Sequence, residues 1–415
     1  MNRRKTVRGI AGAIVMVLLC IAPVLSQVPW PQRPKKPGLE RPEWTGVLMM
    51  HVLPGADVGI GSRAAWLKRR IGEFERLHPG VYIEMRMMTA SQNELYYSSR
   101  FEGAPLADLV AFSSGMLQEP RILTDIAGPA APQAEADGPD QQQEAPAAVI
   151  PQLEASGAAG GALVAAPYLR GGYVVLINKS AWGTAGLDVQ MKDWSAKEAQ
   201  EIFSRLAEVK VPGGRSGRTM IPLVASDEAY NAGAVALAVK LSGEAAISGA
   251  QVMSQADAWS SFSSQQSAAI VASQYTLYRM RTMSDAGRGF ETLVLPLPGQ
   301  GENFTDQMHY MGITARPQGQ AREMCEAFVE YLRSPQAQAR CTDVGMLPVI
   351  PSDENLYSDH PHMAALQKSA DSGELYAPGA LLWASKRGQA ASLAQASIRG
   401  DASATAALRA HLLLP

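Results

Sequence analysis

The chain has 415 residues, 47% of them hydrophobic and 18% charged, which is enough apolar material for two domains and too much for a disordered tail. Its 37 basic residues stand against 39 acidic ones, a balance that carries no electrostatic footprint for nucleic acid. The sequence holds no GxxxxGK[ST] phosphate loop, no HExxH, no GxSxG elbow and no zinc-type cysteine spacing, so it points to no cofactor and no metal.

Met1 to Ser26 reads as a targeting segment, with Arg3, Arg4, Lys5 and Arg8 ahead of an apolar run from Ile10 to Leu25. Retained, that run is a membrane anchor near the lower limit of spanning length; processed as a lipoprotein, it would carry lipid on Cys20. Residues 27–43, QVPWPQRPKKPGLERPE, suit a stiff tether. Folded structure is expected from Trp44. Strands are predicted at Val47 to Val52, Val81 to Met87 and Ala107 to Phe112, the second from the alternation of Val81, Ile83, Met85 and Met87. Between the first two, Ala65, Ile71, Phe74 and Leu77 predict a helix that His78-Pro79-Gly80 ends. Residues 128–161, rich in Ala, Pro, Gln, Gly and acidic residues, read as a mobile surface insertion.

Tyr173 to Ile177, Ala268 to Ala272, Glu291 to Leu297 and Met311 to Thr314 are predicted strands. Helices are predicted over Lys197 to Val209, Ala229 to Leu241, Gln320 to Leu332, Pro335 to Val344 and Ala402 to Leu413. Strands alternating with helices define the α/β class. Cys325 and Cys341 fall in neighbouring helices, open either to a disulfide or to two reduced, buried thiols.

Candidate chemistry is sparse. His360-Pro361-His362 offers two metal ligands without a third and reads as a solvated loop. Asp227-Glu228 is a loop carboxylate pair, whereas glycoside hydrolysis needs carboxyls on two sides of a bond. Phe112, Tyr168, Tyr275, Tyr310 and Trp383 stand beside strand ends and loops. There a ring face suits stacking on a sugar or another small solute, with core filling as the competing use.

The ordered stretches FERLHPGVYIEM, ADLVAFSSG, LTDI, ALVAAPYLRGGYVVLINKSAWGTAGLD, AAIVASQY, LVLPLPGQG, MHYMGITA and AFVEYLRSPQAQARCTDVGMLPV resemble the extracellular solute-binding proteins of ABC transporters. The group they resemble is family 1, which includes maltose- and oligosaccharide-binding members. The closing LLWASKRGQAASLAQASIRGDASATAALRAHL is similar to that family's late aromatic and terminal helices, so the resemblance spans Trp44 to Leu413. It implies a type II periplasmic-binding-protein-like α/β fold, with two lobes joined by hinge strands and a ligand cleft between them. Lobe 1 would hold 44–167 and 298–345, lobe 2 would hold 168–297 and 346–415, and the chain would cross near Pro167 to Tyr173, near Leu297 and near Met346.

The resemblance further implies an exported monomer at the extracellular face of the membrane or in the periplasm. It would be no enzyme, and would deliver a small solute, with sugars and oligosaccharides favoured, to an ABC permease. Rival uses of the sequence are a sensor or structural surface module on the same fold, or an exported carbohydrate-active enzyme. The implied ligand contacts are His51, Phe112 with Ser113 and Ser114, Tyr168, Tyr275, Tyr310 beside His309, and Trp383. Carboxylates that grip sugar hydroxyls in many members are missing from Ser113-Ser114-Gly115 and from Arg170-Gly171-Gly172. Arg170, if turned to the cleft, favours an anion by bidentate contact; a surface salt bridge is its plainer use.

Overall fold

The computed structural model describes residues 44–55, 57, 60–97, 106–117, 120–126, 148–187, 194–213 and 217–414. The targeting segment with Cys20, the tether and residues 128–147 lie outside them. Strand β1 (Gly46–Val52), helix α1 (Arg63–Leu77), β2 (Val81–Met87), α2 (Ala90–Tyr97) and β3 (Leu109–Ser113) come first. Next run α3 (Pro151–Ser156), a small hairpin of β4 (Ala158–Ala159) and β5 (Ala162–Leu163), then β6 (Ala166–Arg170) and β7 (Tyr173–Asn178). The middle comprises α4 (Lys179–Thr184), α5 (Ala196–Leu206), β8 (Val224–Ser226), α6 (Gly233–Leu241), β9 (Gln251–Met253), α7 (Gln255–Ser263), β10 (Ala269–Ser273), α8 (Gln274–Asp285) and β11 (Thr292–Leu295). The rest is β12 (Asn303–Phe304), β13 (Met308–Ile313), α9 (Gln320–Arg333), α10 (Pro335–Gln338), α11 (Pro361–Asp371), β14 (Leu375–Tyr376), α12 (Trp383–Ile398) and α13 (Ala402–Leu412).

Two five-stranded sheets organise these elements, in the orders β2-β1-β3-β13-β6 and β11-β7-β10-β8-β9. In the first, β1 runs parallel to β2 and β3, while β13 is antiparallel to β3 and β6. The chain therefore leaves this sheet after β6, builds the second, and returns with β13. Helix α1 begins where the Ser62 side chain accepts from the Ala65 amide at 3.1 Å, and its buried stripe includes Trp66, Leu67, Ile71 and Phe74. Phe74 meets Phe328 of α9 edge to face at 5.1 Å. Burying one such ring contributes about 1.5–3 kcal/mol. In the second sheet every residue of β7 is buried, as a central strand covered on both faces requires. One face packs Trp182, Phe203 and Leu237; the other packs Phe262, Leu277 and Leu366.

Three segments pass between the lobes and are bonded to one another. At the first, the Arg170 amide donates to Leu347 O at 3.0 Å, the Leu347 amide donates back to Arg170 O at 2.7 Å, and the Gly171 amide donates to Gln307 O at 2.7 Å. A Cβ on Gly171 would lie 1.8 Å from Gln274 Nε2 and 2.4 Å from Gln307 Oε1, so any larger residue would have to displace these two glutamine side chains. The expected division between 167 and 168 falls inside β6, which pairs along its length with β13. The second crossing lies at residues 305–307 and not near Leu297, because Leu297 and Phe304 still fill the second lobe's core.

Several other expectations change. Residues 148–161 are not a surface insertion throughout: Val149 and Leu153 are buried in the first lobe's core, and Ser156 Oγ bonds Tyr310 Oη at 2.7 Å. His360-Pro361-His362 opens α11, with His360 Nδ1 accepting from the Met363 amide at 3.4 Å. Cys325 and Cys341 are both free and buried. Among the described residues, no helix is long and apolar enough to cross a membrane.

Candidate functional site

A cavity of about 180 Å³ lies where the lobes meet. The first lobe contributes Asp57, after β1, and His309 of β13. The second contributes Tyr230, Gln255 of α7 and Tyr275 of α8, while Gln307 and Met346 come from the crossings.

The first lobe's wall is a closed hydrogen-bond network. Arg63, buried at the start of α1, donates from Nη1 to Ser113 Oγ at 2.7 Å and from Nη2 to the Leu53 carbonyl. Ser113 Oγ lies 2.8 Å from His309 Nδ1. A hydroxyl that accepts from arginine is free to donate, so Nδ1 is the acceptor and the imidazole proton sits on Nε2. Burial first, and the Arg63 charge second, hold His309 well below the usual histidine range, so the ring stays neutral. The Arg63 amide also donates to Asp57 Oδ1 at 2.9 Å, which fixes that carboxylate at the rim.

Four rings form a column through this wall. Trp66 stacks on Tyr168 at 5.8 Å, Tyr168 on His309 at 6.1 Å, and His309 on Tyr230 at 6.4 Å. The last step reaches the second lobe. Tyr230 has φ 61°, a left-handed conformation that costs a bulky residue about 1–3 kcal/mol. The turn is held by Gln307 Nε2 donating to the Tyr230 carbonyl at 2.8 Å. Among the described residues, the Tyr230 hydroxyl and Gln307 Oε1 have no hydrogen-bond partner. Burial pushes the Tyr230 phenol well above its ordinary value, so it remains a neutral donor.

Behind the cavity, Asp306 is fully buried and accepts from Tyr173 Oη at 2.6 Å and Trp383 Nε1 at 3.3 Å. Burial raises its carboxyl to about 6, against the pull of those hydrogen bonds.

Of the residues expected from sequence, Tyr275 lines the cavity. Phe112 and Tyr310 face the opposite side of their strands, stacked on each other at 5.7 Å in the first lobe's core. His51 is buried against Tyr97, with Nδ1 2.6 Å from its hydroxyl. Ser113 is the strut between Arg63 and His309, and Ser114 is buried with its amide on Met308 O. Tyr168 supports His309 from behind, and burial pushes its phenol up to about 12 despite Arg63 beside it. Trp383 packs on Phe304 and anchors Asp306 in the second lobe's core. Arg170 does not reach the cavity: it is buried, forms an ion pair with Asp371, and donates from Nε to Pro348 O at 2.8 Å. A cation placed there without a carboxylate would be costly, so Arg170 locks two crossings together and is neither an open anion site nor a surface bridge.

Two α/β lobes on three bonded crossings, with a cavity between them, make the type II periplasmic-binding-protein-like fold. Solved structures share it. The cyclic alpha-maltosyl-1,6-maltose binding protein of Arthrobacter globiformis has 16% identity and a TM-score of 0.62, over 89% of this chain and 98% of that one. The sugar-binding protein MalE of Xanthomonas citri has 16% identity and a TM-score of 0.61, over 88% and 96%. UgpB of Mycobacterium tuberculosis, solved with glycerophosphocholine, has 17% identity and a TM-score of 0.58, over 89% and 98%. No family model and no curated protein matches the sequence.

Proposed function

We propose that this protein is an exported solute-binding protein that captures a small solute, a carbohydrate first, and delivers it to an ABC permease without chemical change. The observation that carries the reading is the cavity between the lobes, walled by His309, Tyr230 and Tyr275, with ring faces beside unpartnered polar atoms. Rings with polar handles suit a solute that has both C–H faces and hydroxyls. The Arthrobacter and Xanthomonas proteins that share the fold are sugar binders, which favours the same class here.

Capture without turnover is supported by the Ser113–His309 pair. A neutral imidazole held far below its usual range beside Arg63 is a poor general base, and Ser113 is fully buried. The ligand contacts we assign are Asp57, Tyr230, Gln255, Tyr275, Gln307, His309 and Met346. We assign residues up to Arg170 and from about Gln307 to Gly345 to lobe 1, and the remainder from Gly171 to lobe 2, a division the two sheets support, with Val349, Ile350, Leu375, Ala377 and Ala380 packing into the first lobe's core. Export, attachment near the membrane through the N-terminal segment and tether, and a monomeric state belong to the same proposal.

The test is a thermal-shift screen of the full chain against sugars, oligosaccharides, amino acids, polyamines and organic anions. A ligand at about a hundred times its dissociation constant adds about 2.7 kcal/mol. A multi-degree shift with an oligosaccharide, and no product formed, is the expected result. Turnover of the sugar, or a folded sample that responds to nothing, would overturn it.

A further inference from the structure

Helices α7 and α8 lie side by side on the second lobe, and a groove of about 450 Å³ runs between them. Tyr275 lines both this groove and the cavity between the lobes, so the two are neighbours across one ring. In the groove the Arg279 guanidinium lies between two aromatic faces, 4.6 Å from the Trp259 centroid and 5.4 Å from that of Tyr275. Rings hold a guanidinium by its faces and leave the N–H edge free to donate. Among the described residues that edge has no acceptor: Arg279 makes no hydrogen bond and no ion pair. Arg288 lines the same groove, and no carboxylate does.

The combination of a held orientation, two cations, no carboxylate in the lining and a ring shared with the cavity has a plain chemical meaning. We infer that the groove is an anion subsite, in which Arg279 takes the carboxylate or phosphate of an acidic saccharide whose neutral part lies in the cavity. This inference rests on the solute-capture reading. Tyr275 would sit under the sugar unit that joins the two parts. The fork of an arginine matches either oxyanion bidentately, and Arg288 adds charge at the outer end.

The experiment is isothermal titration of the full chain with three matched probes: maltotriose, maltotriose oxidised at a terminal C6 to a uronic acid, and maltotriose carrying a terminal 6-phosphate. The wild type should bind at least one anionic probe on the order of tenfold to a hundredfold more tightly than maltotriose, the weight of charge-assisted hydrogen bonds. Comparing the uronic acid with the phosphate identifies which oxyanion is preferred. In Arg279→Gln the ratio of anionic to neutral affinity should collapse to about one, and Arg288→Gln should lower it less. Equal affinity for all three probes in the wild type, or a preference that survives Arg279→Gln, overturns the subsite and leaves solute capture standing. Failure of all three probes to bind overturns the subsite, and solute capture is then decided by the thermal-shift screen alone.

Discussion

On the first lobe's side of the cavity, Arg63, Ser113 and His309 bond one another and the Leu53 carbonyl, and the rings behind them are stacked and buried. On the second lobe's side, Tyr230 is held by one bond to its backbone in a strained conformation, and its hydroxyl has no partner among the described residues. The polar groups of the two walls thus do two different jobs. The first wall is pre-organised and stays as it is, while the second retains unspent donors and acceptors that a solute can take up. Strain at Tyr230 fits the second role, since sparsely populated backbone conformations persist where the surroundings hold a group in place for use.

The contrast can be broken most severely at Arg63. Arg63→Met leaves Ser113 Oγ and the buried Leu53 carbonyl without their donor, and should lower the unfolding free energy by about 2–5 kcal/mol, measured by urea melts without any ligand. A loss below about 1 kcal/mol would mean the first wall is no more finished than the second.

The next effect lies behind the second wall. Asp306 has its carboxyl raised to about 6 by burial, so the folded state holds a proton that the unfolded chain has already released. Its contribution is present below the unfolded value near 4 and is lost as pH rises through about 6, a fall of up to about 3 kcal/mol. Unfolding free energies measured from pH 4 to 7 should show that decline in the wild type relative to Asp306→Asn. Parallel profiles would contradict it.

Legibility in the sequence follows the same division between packed and open. The strands were readable because YVVLI, AIVAS and their like are continuous apolar runs. The polar helices α7 and α8 (QADAWSSFS and QYTLYRMRTMSD) were not, since their buried positions are diluted by Ser, Gln and Thr. Strand β6 hides behind Pro167 and Arg170, residues that argue against a buried strand unless another segment satisfies them. In the site, Phe112 and Tyr310 misled because parity decides everything. The paired neighbours Ser113 and His309, one residue along, face the cavity side while the two aromatics face the core. Tyr275, marked in the sequence by its place just after a strand end, lines the cavity. Tyr230 carries no such mark, because its left-handed turn is written with neither glycine nor asparagine and is imposed by Gln307, 77 residues away. The sequence pattern places Tyr230 instead in a helix over Ala229 to Leu241, which begins only at Gly233.

The central claim is that the solute sits between these walls. Its most direct test is isothermal titration of Tyr230→Ala with the solute that shifts the wild type most, alongside urea melts of both proteins. Loss of one stacking ring and one free hydroxyl should weaken binding by about 1–3 kcal/mol, roughly a factor of five to over a hundred, with the urea melts showing the variant still folded. Unchanged affinity in a stably folded Tyr230→Ala would place the solute elsewhere and contradict the account.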